Sequence, residues 1–376
     1  MGPGIYIHIP FCRKACTYCD FHFSTLLKYI DDVILGIITE INLRQQEWQS
    51  KEIPSIYFGG GTPGLFNPKD LEKLIEPFFK FAYPVNQCEI TIEANPENIT
   101  PQKIAYWNRI GFNRLSIGIQ SLQDTTLKWM NRTHDRAVAL KSLNIALDSG
   151  LFKSVNVDAM YGLPNLSRDS IINDIKLLAL TGVQHISCYE LTREPKTTFD
   201  HQVKNKLIEP VQSDEIAEQF LSISEMLEHN GFEHYEVSNY AKSGYQAIHN
   251  SLYWSGKATL GFGPSAVSYQ DKTRKINIAN NGLYVKKIKS RDIFYKIEEL
   301  THNDIHNEYV MTRLRLKEGL SLMDYSKKFG PGAGEILLKK IQLWNPQLYI
   351  KQDNFIKLSR AGRLLSDHLA AELFET

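Results

Sequence analysis

The chain has 376 residues, 43 Lys and Arg against 42 Asp and Glu, and a formal net charge of +1. A hydrophobic content of 43% with 23% charged residues excludes wholesale disorder, and the charge balance excludes a uniformly basic nucleic-acid coat or an acidic tail. The length suits two or three domains, or one large α/β barrel with an appendage.

The first eleven residues lack the basic and long apolar regions of a signal peptide, and Tyr6 breaks the myristoylation pattern that Met1-Gly2 would begin. No stretch approaches the roughly 18 apolar residues of a membrane span, so a soluble cytoplasmic protein is expected. Ile5–Ile9 alternates at period two and predicts a first strand. Cys12, Cys16 and Cys19 follow it directly. A helix is predicted over Tyr29–Leu43, where Ile30, Val33, Ile34, Ile37, Ile38 and Ile41 form one apolar face. Ser55–Phe58 runs into Gly59, Gly60 and Gly61; Glu89–Glu93 ends at Asn95-Pro96; Arg114–Ile117 ends near Gln120. Ser154–Val157 ends at Asp158, and His185–Tyr189 ends at Glu190. A further helix carries Ile216, Phe220, Ile223 and Leu227, with Ser213 as its candidate N-cap.

Six strand–helix units in succession imply a parallel α/β sheet with right-handed crossovers, curved or closed like a TIM barrel. In such a sheet ligands gather at the carboxyl ends of the strands, where these glycines and polar residues lie. Between about 233 and 293 the pattern loosens into expected loops. Beyond 301, helices at Asn303–Leu316, Ser321–Lys328 and Gly334–Leu343, a hairpin at Tyr349–Leu358 and a helix from Ser359 describe a mostly helical, winged-helix-like domain. Its charge is nearly balanced, which favours a docking or lid role over nucleic acid.

The cysteine spacing carries the chemistry. Three thiolates this close can bind three irons of a cubane cluster and leave the fourth iron open. His22 offers a rival Cys₃His zinc site, and unligated thiols are a third reading. Cys88 and Cys188 stand alone as strand-associated thiols. Gly59-x-Gly61-x-x-Gly64 also satisfies a dinucleotide fingerprint, but Pro63 and the absence of an acidic strand end about 20 residues on argue against it.

Cys12-x₃-Cys16-x₂-Cys19, with Tyr18 before the last cysteine, resembles the radical S-adenosylmethionine superfamily. Gly60-Gly61-Thr62-Pro63, Glu93-Ala-Asn-Pro96, Arg114–Ser121 and Asp158–Pro164 extend the resemblance to the branch related to oxygen-independent coproporphyrinogen III oxidase. The resemblance implies a partial or open TIM-like (β/α)₆ barrel with its extension over 1–295, and the winged-helix-like domain over 296–376. It implies a 4Fe–4S cluster on Cys12, Cys16 and Cys19 whose fourth iron chelates S-adenosylmethionine, the source of a 5′-deoxyadenosyl radical. The glycine turn Gly60–Thr62 and Glu93 are expected at the methionyl and ribose groups, Arg132 at the carboxylate, Gln120 and Asp158 at the ribose, and Tyr6 near the sulfonium.

Two departures separate the chain from the oxidase. Phe21 stands where the oxidase pattern has a further cysteine, and only eleven residues precede Cys12. His249-Asn-Ser-Leu-Tyr253-Trp254 is similar instead to the signature of heme chaperones, which lack oxidase activity. That resemblance implies heme as a ligand, His249 as its iron ligand, and heme-accepting proteins as partners. It also implies an electron donor such as flavodoxin or ferredoxin, and peripheral membrane association through the acceptor. From the residues alone, His249 capping a turn with Tyr253 and Trp254 in a core seam is the competing reading, and His8 and His134 are further candidate ligands. The oxidase itself, and a zinc-stabilised nucleic-acid-binding protein, are the other functions to be tested.

Overall fold

The computed structural model describes residues 2–375, the side chains of 83–87 apart. Six strands form the parallel core predicted from the sequence: β1 Gly4–Ile9, β2 Glu52–Gly60, β3 Tyr83–Ala94, β4 Arg114–Gln120, β5 Ser154–Tyr161 and β6 His185–Glu190. They lie side by side in chain order, every pair parallel. Alternation along each strand sorts the side chains. Ile5, Ile7 and Ile9, Ile56 and Phe58, Leu115, Ile117 and Ile119, and Val155 and Val157 are buried in the main apolar core. The intervening positions carry Tyr6 and His8, Ser55 and Tyr57, Glu89 and Glu93, Ser116, Asn156 and Asp158, so the other face is polar. A TIM barrel fills its interior with branched apolar residues; this sheet keeps a polar concave face for ligands. It stays open rather than closing on itself.

The helix expected over 29–43 spans Ile30–Leu43 and buries Val33, Ile34, Ile37 and Ile41. Full burial of such side chains contributes about 2–3 kcal/mol each. Ser213 is the first residue of the helix Ser213–His229 rather than its cap; Gln212 holds the cap position without a side-chain bond.

The stretch read as loops is more ordered than expected. It holds β7 Glu233–Glu236, β8 Asn239–Ala241, β9 Thr259–Phe262, β10 Val267–Gln270, β11 Thr273–Asn277 and β12 Tyr295–Glu299. β9 pairs in parallel with β1, and β10, β11 and β12 continue antiparallel beyond it. On the opposite edge, β8 and β7 follow β6 antiparallel. A buried ion pair fastens this extension: Glu40 and Arg44 meet at 2.7 Å, and Glu40 also accepts from Gly263 N, Asn277 and Tyr284. Because β12 belongs to the large sheet, the expected division between 295 and 296 cuts a strand.

The C-terminal residues have their own apolar core, including Val310, Leu314, Tyr325, Ile341 and Ile356. Helices His302–Arg315, Leu322–Phe329 and Ala333–Ile341 and a sheet of β13 Leu320–Ser321, β14 Tyr349–Gln352 and β15 Phe355–Leu358 give the winged-helix order. The last helical segment is two short helices, Arg360–Leu364 and Ser366–Glu372. Arg313 Nη2 donates to Ser255 O at 3.0 Å and Arg363 Nη1 to His234 O at 2.7 Å, joining this unit to the sheet. Among the described residues, no helix is long and apolar enough to cross a membrane.

Candidate functional site

The carboxyl ends of the parallel strands open into a cavity of about 440 Å³. Cys12, Cys16, Cys19, Gly60, Gly61, Thr62, Glu93, Gln120, Arg132 and Asp158 all line it. The three cysteines are half-buried on the loop after β1. Burial pushes the thiol pKa of Cys12 up and that of Cys19 up to about 12. Among the described residues, no three His, Cys, Asp or Glu side chains converge to hold one metal ion. A cubane asks for less convergence, one thiolate per iron. His22, the fourth ligand of the zinc reading, lines a different cavity, and its Nε2 bonds Asn281 Oδ1 at 2.8 Å.

The glycine turn is built by close approach. Gly60 has φ +104°, and a Cβ there would lie 2.5 Å from the His8 ring. A Cβ on Gly61 would lie 2.6 Å from Phe11 O. The amides of Gly60, Gly61 and Thr62 are already spent on Glu93, Ile9 O and Phe11 O. With its amides taken and Thr62 O accepting from Leu65 N, the turn offers carbonyl oxygens at Gly60 and Gly61 rather than donors, which suits a cationic group.

Glu93 accepts from Tyr57 Oη at 2.6 Å and from Gly60 N at 3.3 Å. Burial, with Asp158 nearby, pushes its carboxyl pKa up to about 7 despite those bonds. Asp158 accepts from Ser116 Oγ at 3.1 Å and Asn156 Nδ2 at 2.8 Å, and burial still raises its pKa. Gln120 sits at φ +69°, where the β4–β5 register shifts. A non-glycine residue held left-handed at a bulge costs about 1 kcal/mol or more, and the bend re-aims its side chain into the cavity.

Arg132 departs from the expected open fork. Its Nη2 donates to Asn95 Oδ1 at 2.8 Å and Gly118 O at 2.5 Å, and its Nη1 faces Cys16 Sγ at 3.5 Å. Burial works against its charge, yet Tyr18 and Cys16 outweigh it and hold the guanidinium pKa above its ordinary value. The side chain is thus a fixed positive charge beside the cysteine loop.

Tyr6 and His249 lie elsewhere. Tyr6 and His8, two apart on β1, line a second cavity of about 510 Å³ between the sheet and the C-terminal unit. Tyr6 Oη bonds His8 Nδ1 at 3.1 Å, and His8 Nε2 bonds His22 O at 2.9 Å. Tyr253 and Trp254 line this cavity too. They stand on the helix Ile248–Trp254, whose first two amides donate to the Glu89 carboxylate at 3.0 and 2.9 Å. A buried carboxylate at a helix N-terminus satisfies two orphan donors and is attracted to the positive end of the helix dipole.

His249 is 2% exposed, stacked on Tyr57 and packed against Tyr6 and Tyr253. Its Nδ1 bonds Ser55 Oγ at 2.9 Å while Nε2 has no partner. Burial lowers its pKa to about 3, so the ring is neutral. His134 is buried against Ile119 O and Glu97 and lines neither cavity. Phe21, Gly60 and Glu93 line both cavities and form their common wall.

Sequence reasoning missed Tyr57, Asn95, Ser116 and Tyr189, which also line the first cavity. Strand alternation, carried inward from Glu93 and Asp158, would have found Tyr57, Ser116 and Tyr189.

The family model described as Radical SAM superfamily matches residues 6–178, and that described as HemN C-terminal domain matches 300–365. The heme chaperone HemW of Mycobacterium tuberculosis is 30% identical over 375 residues, 98% of this chain and 94% of the relative. That of Escherichia coli is 32% identical over 336 residues, covering 86% and 85%. Among solved structures, coproporphyrinogen III oxidase (HemN) from Escherichia coli aligns with a TM-score of 0.84 at 21% identity, covering 99% of this chain and 90% of that one, a likeness of fold. With relatives this similar along nearly its whole length, the chain belongs to the heme chaperone HemW family of the radical SAM superfamily.

Proposed function

We propose that the chain is a heme chaperone that holds a 4Fe–4S cluster and S-adenosylmethionine in the first cavity, binds heme beside it, and passes the heme to acceptor proteins. One observation carries this reading: the helix bearing His249, Tyr253 and Trp254 is pinned by Glu89 against a cavity large enough for a flat ligand, next to the cysteine cavity. In this reading Cys12, Cys16 and Cys19 ligate the cluster, which when bound would supply one electron and an open iron position. Arg132 offsets the negative charge of the thiolates. The acceptors of the Gly60–Thr62 turn and Glu93 hold the ligand's ammonium, while Gln120 and Asp158 take ribose hydroxyls. On the heme side, Tyr253 and Trp254 give flat apolar area. His249 Nε2 is the candidate iron ligand: Nδ1 is held by Ser55, Nε2 has no partner, the ring is neutral, and its ring neighbours Tyr6 and Tyr253 line the cavity although His249 itself does not.

The chemistry of Glu93 fixes a pH dependence. An ionised carboxylate attracts the ligand's ammonium; a protonated one does not. S-adenosylmethionine affinity, measured by equilibrium dialysis on the reconstituted protein, should fall as pH drops through about 7. The Glu93→Gln variant should bind weakly with a flat profile. The raised pKa also costs the ligand-free protein stability as pH rises from the ordinary carboxylate range to about 7.

Hemin added to the purified protein should give a saturable Soret shift, weakened about tenfold or more in His249→Ala, the loss expected for one iron ligand with its supporting hydrogen bond. An unchanged titration in the variant removes His249 from the ligand set. The fold shared with the oxidase makes decarboxylation the second reading. An anaerobic assay with coproporphyrinogen III, reductant and S-adenosylmethionine should yield no protoporphyrinogen; turnover would favour the oxidase.

A further inference from the structure

The second cavity is not uniformly apolar. Its wall from the C-terminal unit carries Arg313 and Lys328 around the Tyr309 ring. The Arg313 guanidinium carbon and Lys328 Nζ each lie 5.3 Å from the centre of that ring. Among the described residues neither cation has a carboxylate within 4.0 Å, the reach of an ion pair. Arg313 spends one N–H on Ser255 O, a backbone oxygen at the end of the helix that carries Tyr253 and Trp254. The carboxylate on the same wall, Glu308, is taken by Arg274, which also faces Glu298. Two cations brought together beside an aromatic wall repel each other, and the nearby carboxylates, Glu308 and Asp324, offset this only at a distance, with no direct ion pair to either cation among the described residues. Lys328 registers it: burial and the neighbouring Arg313 and Lys272 lower its pKa, and Glu308 only partly offsets them.

The opposite wall is different in kind. Tyr6, Tyr253 and Trp254 come from the sheet side, which also contributes Lys257 and the ion-paired Arg274, so most of the aromatic lining and the Arg313–Lys328 pair lie on separate structural units. An amphiphilic, planar ligand with two anionic groups on one edge matches that division. Heme is such a ligand: its ring is flat and apolar, and its two propionates sit on one side. Resting on the heme reading above, we propose that Arg313 and Lys328 bind the heme propionates, so that the winged-helix-like unit recognises the anionic edge of the cargo while the sheet holds the ring. Binding then supplies direct ion pairs to both cations and ties the C-terminal unit to the sheet. Release to an acceptor requires that edge to be let go.

The test compares hemin with hemin dimethyl ester, in which the propionates are capped and uncharged, on the full-length protein. Arg313→Met and Lys328→Met keep an unbranched apolar stem and remove charge, singly and together. The wild-type protein should bind hemin about tenfold or more tighter than the ester, the scale of a charge-assisted contact. In the double variant hemin should weaken to the level of the ester, with ester affinity little changed, and the discrimination should fall to within about threefold. Cluster absorbance and melting temperature, followed alongside, separate a lost contact from a lost fold. Full discrimination retained by a folded double variant would overturn the proposal, as would a wild-type protein that binds both porphyrins equally. No saturable binding of either porphyrin would instead remove the heme reading, and this assignment with it.

Discussion

Cys16→Ala will give a folded protein that no longer takes up its cluster. After anaerobic reconstitution the wild-type chain should hold roughly four irons, and the variant less than about one. A cubane held by three thiolates loses a third of its protein anchors when one is removed. Cys16 also faces Arg132 Nη1, at 3.5 Å, but the guanidinium keeps Asn95 Oδ1 and Gly118 O as acceptors when that thiol is lost. Stability should barely move, because Cys16 is half-buried on a loop and belongs to none of the apolar cores. Circular dichroism and melting temperature close to wild type, with the brown absorbance and S-adenosylmethionine binding both gone, is the expected pattern. Full iron and sulfide in the variant would mean that the cysteine loop is not the cluster site, and zinc in the wild type would revive the Cys₃His reading.

Glu89→Ala should be among the most damaging single changes outside the apolar cores. Glu89 is 8% exposed, accepts the amides of Ile248 and His249, and lies 4.0 Å from Arg114 Nε, itself 4% exposed. Alanine strands two helix donors and leaves the guanidinium with Ser154 as its hydrogen-bonding side chain. Removing one partner of a buried charged group costs about 3–5 kcal/mol. Glu89→Gln keeps one acceptor oxygen and should cost about 1–2 kcal/mol. Urea unfolding measures both as a lower midpoint at unchanged slope. Heme affinity should fall with helix position in Glu89→Ala, because the same bonds aim Tyr253 and Trp254. A loss under about 0.5 kcal/mol, as for an ordinary surface substitution, would show that this carboxylate does not hold the helix.

Much of this architecture was legible in the sequence because two regularities coincide. Strand alternation marks β1 to β6, and in a parallel sheet the residues that end those strands share one rim. That is why Cys12, Gly60, Glu93, Gln120 and Asp158, spread over about 150 positions, could be assigned to one cavity. What escaped depends on contacts that alternation does not encode. β9 is four residues long and finds its partner β1 some 250 positions away. Tyr6 and His8 share a face of β1, but which cavity that face meets is set by the cysteine loop and the C-terminal unit. Arg132 could be recognised as a charge near the ligand, yet its bonds to Asn95, Gly118 and Cys16, the second beside a left-handed bulge at Gln120, are ones no propensity predicts. The His249 motif was visible as a pattern; its seclusion behind Tyr6 and Tyr253 was not.

The central claim is that one chain carries two adjoining sites with different occupants, one for the cluster and S-adenosylmethionine and one for heme. It is tested most directly by titrating hemin into the reconstituted protein with and without saturating S-adenosylmethionine. The account predicts one saturable heme per chain in both titrations, with the cluster absorbance retained throughout. Heme that is displaced by S-adenosylmethionine, or that binds only when the cluster is lost, would contradict it.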